Sequence, residues 1–184
     1  MFSFQAAPQP SGFACRGCGG ALPQKPTYPP NHVRCGACDH PHWYPPRIYQ
    51  DLPFLIPAAE VGELKGAMQA EVLGEMVQSL ISVGALDEAC RDSIVSDLVH
   101  RESLSSTGIG HGVAVPHLRL PHVEQPTGLI AYSKGGIEYA SQDGGLVHVF
   151  ILLFTNEREH ATHLRGLERI TRHLRRALAL SVGL

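Results

Sequence analysis

The chain lacks several features that would each point to a function. Its longest apolar run, "LVHVFILLF", is nine residues and is interrupted by His148. Crossing a bilayer takes about 20 residues, so membrane insertion is not expected. No basic start leads into an apolar core, and "MFSFQAAPQPSGF" does not read as a secretory leader. Neither charge is in excess: 15 Lys and Arg stand against 17 Asp and Glu, for a net charge of -2. That balance removes the general electrostatic reason to expect nucleic acid or an anionic membrane as a partner. No Walker A sequence, no G-x-S-x-G elbow, no internal repeat and no low-complexity tract occurs, which excludes P-loop, α/β-hydrolase and solenoid readings. A cytoplasmic location is expected, where cysteines are reduced or metal-bound.

What is present divides unevenly. The chain has 184 residues, 43% of them hydrophobic, enough for one ordinary domain and a small module. The first 58 residues hold four of the five Cys and the only Trp. They show little apolar periodicity, so this part needs a staple other than a core. The organisation predicted is a tail over 1–12, a Cys-rich module over 13–49, a proline-rich linker over 50–62 and a larger domain over 63–184.

Within that domain "MQAEVLGEMVQSLISVGAL" places Val72, Met76, Leu80 and Val83 on one helical stripe, with Gly84 as a stop. "DEACRDSIVSDLVHRE" predicts a second helix around Ile94 and Leu98, with Asp87 as a cap and Cys90 as a small buried apolar residue. The period then changes. "GVAVPH", "GLIAYS" and "LVHVFILLF" read as strands, the last buried on both faces. "HATHLRGLERITRHLRRAL" returns to a helix with Leu164, Leu167, Ile170 and Leu174 facing in. Helices before and after several strands imply an α/β (α+β) domain, a mixed sheet flanked by helices.

Cys15, Cys18, Cys35 and Cys38 form two C-x-x-C turns sixteen residues apart. Two such turns converge four thiolates on one point, a tetrahedral set that suits structural Zn(II). The bland alternative is two reduced or redox-active pairs. Four sulfurs close the coordination shell, so no chemistry is expected at this metal. His32, His40 and His42 read as outside the ligand set, and Trp43 and Tyr44 as packing residues or a contact surface. The hairpin resembles a zinc ribbon.

"TGIGHGVAVPH" sets three glycines before a Pro-His pair. A dinucleotide loop would follow a strand and open a helix; here a helix precedes and a β-branched run follows. The glycines read instead as a sharp turn making a close approach. Pro116 lacks an N–H and ends a ladder, so His117 is expected at a strand end on a rigid base. A largely unprotonated imidazole there is a competent nucleophile. Arg101 precedes the loop, Arg119 follows His117, and His163 opens a helix after the apolar strand. His111, His122, His160 and His173 read as solvated. The arginines at 165, 169, 172, 175 and 176 read as a solvated face.

"RESLSSTGIGHGVAVPH" resembles the signature of the fructose/mannitol/nitrogen-type enzyme IIA domain of the bacterial phosphotransferase system, over about residues 60–180. The resemblance implies a mixed five-stranded sheet and a phosphoacceptor at His117, supplied by the phosphocarrier HPr and drained by a IIB partner. It implies an arginine sixteen residues earlier, which is Arg101, and a second active-site histidine, for which "EREHATHLRGL" offers His163 rather than His160. No cofactor is implied at the phosphoryl site. Two departures stand out. The family continues with further helices where this chain reaches Leu184, so a shortened C-terminus is expected, and the ribbon is foreign to a simple transport domain. The alternative expectation is a regulatory binding module, switched by phosphorylation of His117 rather than carrying phosphate for sugar transport.

Overall fold

The computed structural model describes residues 48–182, together with Cys15, Cys18, Gly20 and residues 32–39 and 41–43. The side chains of 32–34, 41–43 and 176–182 are not among those described. The tail expected over 1–12, His40, and the surface expected of Trp43 and Tyr44 lie outside what is described.

The N-terminal part contains a small antiparallel pair, β1 (His32–Arg34) and β2 (Pro41–Trp43), flanking the second C-x-x-C turn. The next element is the short helix α1 (Ile48–Asp51). Residues 50–62 do not run free of the sheet. Leu52, Leu55 and Ala59 are buried, and Ile56 N donates to Gly128 O at 2.8 Å, so the segment lies along β6 (Thr127–Ile137).

Two helices follow, α2 (Gln69–Ser82) and α3 (Arg91–Leu104). Val72, Leu73, Met76, Val77 and Leu80 are fully buried. Val83, expected on the same stripe, lies just past the helix end and is partly exposed. Asp87 accepts from Ala89 N at 2.9 Å and caps a 3-10 turn, Glu88–Cys90, that feeds α3. Cys90 is the residue before α3 and is half-buried.

The sheet comprises β3 (Gly108–Gly110), β4 (Val113–Ala114), β5 (His117–Leu120), β6 and β7 (Val147–Asn156). The central strand is β7. It pairs parallel with β4 and then β5 on one side, and antiparallel with β6 on the other, while β3 pairs antiparallel with β4. The sheet is mixed, as expected. The strand expected from "GVAVPH" is two strands: Pro116 has no N–H to give the ladder, and it separates β4 from β5. His117 therefore opens a strand rather than closing one.

Helix α4 (His160–Val182) runs back from the end of β7. Successive residues of a strand face opposite ways, and β7 uses both faces. Phe150, Leu152 and Phe154 join the α2–α3 side; Val149, Ile151 and Leu153 join Ile170, Leu174, Ile48 and Leu52 on the α4–α1 side. That double covering is the physical reason "VFILLF" is continuously apolar.

Two expectations for α4 are corrected. Leu164 is 65% exposed rather than facing in, because it lines an open depression beside His163. His173, expected in solvent, is buried, with Nδ1 2.9 Å from Asp51 Oδ2; helix α1 covers that face. Among the described residues no helix is long and apolar enough to cross a membrane.

Candidate functional site

The break at Pro116 orients His117. Val115 N donates to Thr107 O at 3.0 Å, and Pro116 O accepts from Leu153 N at 3.0 Å, so the backbone on both sides is tied down. His117 Nδ1 lies 2.8 Å from Val115 O. A carbonyl only accepts, so Nδ1 carries the proton and Nε2 the lone pair. Burial lowers the His117 pKa, against the opposing pull of the Val115 carbonyl, and the nearby Arg101 charge lowers it further. The ring is thereby kept in its nucleophilic form at neutral pH.

Arg101 comes from the last turn of α3. Its Nη1 donates to Ser105 O at 2.7 Å and its Nη2 lies 3.2 Å from His117 Nε2. The guanidinium has five N–H donors, so this anchoring leaves others for an anion. Glu102, a possible partner for Arg101 in the sequence, turns the other way. It is buried and accepts from Thr107 N at 2.8 Å and Thr107 Oγ1 at 2.6 Å, fastening the glycine stretch to the helix end.

The glycines approach protein rather than ligand. A Cβ on Gly108 would lie 2.8 Å from Ser141 Cα. Gly110 has φ +89° and donates to Ser141 Oγ at 3.0 Å, and His111 N donates to Asp143 Oδ2 at 2.7 Å. The His111 N–H, and then the Gly145 N–H, hold the Asp143 carboxyl below its ordinary pKa.

His163 stands in the first turns of α4. Its ring centroid is 5.3 Å from that of His117, at an interplanar angle of 51°. Its Nδ1 is 2.7 Å from Oγ1 of the fully buried Thr155 at the end of β7. Burial first, then the charges of His117, Arg119 and Arg101, lower its pKa to about 4. His160 is elsewhere: its Nδ1 meets Nη1 of Arg119, and its side chain is exposed. Arg101, His117, Arg119, His160 and His163 surround one open depression of about 380 Å3.

Sequence reasoning passed over Thr155 and the Arg119–His160 contact. A signal existed for each. Thr155 is the first polar residue after the apolar run, and Arg119 is two residues from His117, hence on the same face of a strand.

Residues 61–179 match the family described as phosphoenolpyruvate-dependent sugar phosphotransferase system, EIIA 2. The chain belongs to this family. Its EIIA domain is 35% identical over 127 residues to a nitrogen regulatory protein of Bradyrhizobium diazoefficiens, a match covering 66% of this chain and 74% of that protein. It is 37% identical over 105 residues to the PTS system fructose-specific EIIABC component of Bacillus subtilis, covering 57% of this chain and only 16% of that protein. The fold is similar to that of the nitrogen regulatory protein IIA-Ntr from Neisseria meningitidis, with a TM-score of 0.57 and 26% identity over 64% of this chain and 78% of that one.

The cysteine cluster lies outside the residues that match the EIIA family. The four sulfurs all lie within 4.8 Å of one another. Cys15 Sγ is 3.5 Å from Cys38 Sγ, and Cys18 Sγ is 3.5 Å from Cys35 Sγ. A tetrahedral metal with bonds of about 2.3 Å to sulfur spaces its ligands by about 3.8 Å, so the set fits one ion. Backbone N–H groups of Ala37 and Cys38 lower the Cys35 pKa to about 6, which favours the thiolate that a metal needs. The turn also closes on itself, with Cys15 N donating to Gly20 O at 2.7 Å.

Proposed function

We propose that the chain is a cytoplasmic phosphocarrier whose His117 Nε2 accepts a phosphoryl group from an HPr-like donor. The observation that carries this reading is the pair of contacts on His117: Nδ1 is committed to Val115 O, and the remaining lone pair faces Arg101. In the step, a P–N bond forms at Nε2 while the donor's P–N bond breaks, its electron pair returning to the donor ring. The proton on Nδ1 stays in place. Arg101 and His163 steady the charge on the equatorial oxygens in flight.

The use of the phosphorylated state is regulatory in this reading, with transfer to a IIB-type acceptor as the other use. Two relatives that this chain covers over most of their length support regulation: the nitrogen regulatory proteins of Bradyrhizobium diazoefficiens and Pseudomonas aeruginosa are covered over 74% and 79% of their length. Phosphate would add negative charge and three acceptor oxygens to a surface that a target reads. The four cysteines hold one structural Zn(II) that supplies folding energy to the N-terminal module.

The test is incubation with enzyme I, HPr and phosphoenolpyruvate, followed by location of acid-labile phosphate by mass spectrometry. Label at His117, absent from His117→Ala, is expected. No label on the wild type, or full label on His117→Ala, overturns the reading. Binding partners captured by the phosphorylated and unphosphorylated forms should differ if the state is regulatory, and an unchanged set with fast transfer to a IIB protein favours the transport use.

A further inference from the structure

The exposed side of the depression holds two residues to which the His117 reading assigns no task. On the basis of that reading, we infer that Arg119 is a second arginine grip on the phosphoryl group, and that His160 is the positioning residue that holds it over the site.

Strand geometry comes first. His117 and Arg119 are i and i+2 on β5, so their side chains leave the same face. His160 and His163 are i and i+3 on α4, so they share a helix face. The packing of α4 against β7 brings these two pairs together: His163 meets His117, and His160 meets Arg119. The result is a rectangle, with imidazole opposite imidazole and imidazole opposite guanidinium.

The chemistry of the Arg119 contact follows from its donors. A guanidinium is always protonated and only donates. His160 Nδ1 must therefore present its lone pair, which makes His160 neutral with its proton on Nε2. Arg119 is thus tethered by a neutral acceptor, a contact that orients the guanidinium without discharging it. A carboxylate in the same place would have cancelled part of the charge meant for phosphate.

The ionisable groups lining the depression are all arginines or imidazoles, beside Leu118 and Leu164. Glu102, the nearest carboxylate in sequence to Arg101, is buried and committed to Thr107. The Arg119 charge also helps to keep His163 neutral, so it acts within the site rather than beside it. A phosphoryl group in transfer exposes three equatorial oxygens. Arg101 reaches it from the α3 side next to Nε2, and Arg119 from the β5 side.

The test uses the whole chain and two donors. Phospho-HPr requires docking; phosphoramidate, a small donor whose P–N bond breaks as the bond to His117 forms, does not. With both donors Arg119→Ala should slow labelling of His117 about tenfold or more, since a lost oxyanion donor costs that much in shielded sites and less where water enters. Arg119→Lys should recover part of the loss. His160→Ala should slow labelling less, and His160→Gln, whose side-chain carbonyl can accept from Arg119, should restore it. The double variant should be no slower than Arg119→Ala alone, because His160 acts only through Arg119. Both side chains are exposed, so the variants should fold. Wild-type rates for Arg119→Ala with both donors, or full additivity in the double variant, overturn the inference. A wild type labelled by phosphoramidate but not by phospho-HPr overturns the donor assigned above and leaves Arg119 to be decided by the small donor. Labelling by neither overturns both.

Discussion

The hydroxyl of Thr155 and the Nδ1 of His163 are 2.7 Å apart, and they join the buried end of the central strand to the mouth of the site. Thr155 is fully buried, so it is a fixed post. It decides how the His163 ring stands against His117. Replacing it with Val keeps the shape and removes the bond. Thr155→Val should slow phosphoryl transfer several-fold and cost about 1 kcal/mol of stability, while Thr155→Ser should retain both. Transfer rates and urea midpoints of the two variants check this; a wild-type rate in Thr155→Val refutes it.

Stability should fall as the solution is acidified through a defined window. His163 is held to about 4 against an ordinary 6.5. Between those values the unfolded chain binds a proton that the folded chain refuses. Stability from this group is therefore complete above about 6.5 and is lost progressively as pH falls toward 4. His117 is shifted in the same direction by burial and adds to the slope. Urea midpoints measured from pH 4 to 8 should rise with pH, and more gently in His163→Gln. An equal slope in the variant would place the proton uptake elsewhere.

Gly108 is predicted to be intolerant of any side chain. Its Cβ would lie 2.8 Å from the Ser141 backbone, which has no flexible end to move aside. Gly108→Ala should cost about 1–3 kcal/mol, the range for forced overpacking. Because Thr107 and Val115 share the same turn, the rate of His117 labelling should fall as well. Thermal unfolding and labelling of the variant measure both effects.

Chelation should separate the two parts of the chain. Metal analysis is expected to give one zinc per chain, and removing it should unfold the Cys15–Cys38 region, since structural zinc supplies about 10–16 kcal/mol in small peptides. Phosphoryl transfer to His117 should survive, because Arg101, His117 and His163 take no contact from the cysteines. Cys35→Ser should behave like the chelated protein. Loss of transfer on chelation would show that the two parts are coupled.

What the sequence determined by itself was local. Two residues between cysteines let both sulfurs of a C-x-x-C turn face one point. Pro116 breaks a ladder wherever it sits in a strand, since it has no N–H to donate. The continuous apolarity of "VFILLF" within β7 announces a strand covered on both faces. These are consequences of backbone geometry over a few residues, and they are legible without neighbours. The tertiary structure decided which groups meet. Arg101 and His117 are sixteen residues apart in the chain and 3.2 Å apart in space, a distance that depends on how α3 ends against β5. Leu164 has the spacing of a core residue and is exposed, and His173, expected in solvent, is buried against Asp51. Periodicity assigns a residue to a helix face, but only packing decides what covers that face. Leu164 lines the open depression, and α1, which straddles the boundary expected between module and linker, covers His173. Thr155 and His160 acquire their contacts only from a partner brought by another element, so the sequence signal at each position does not name that partner.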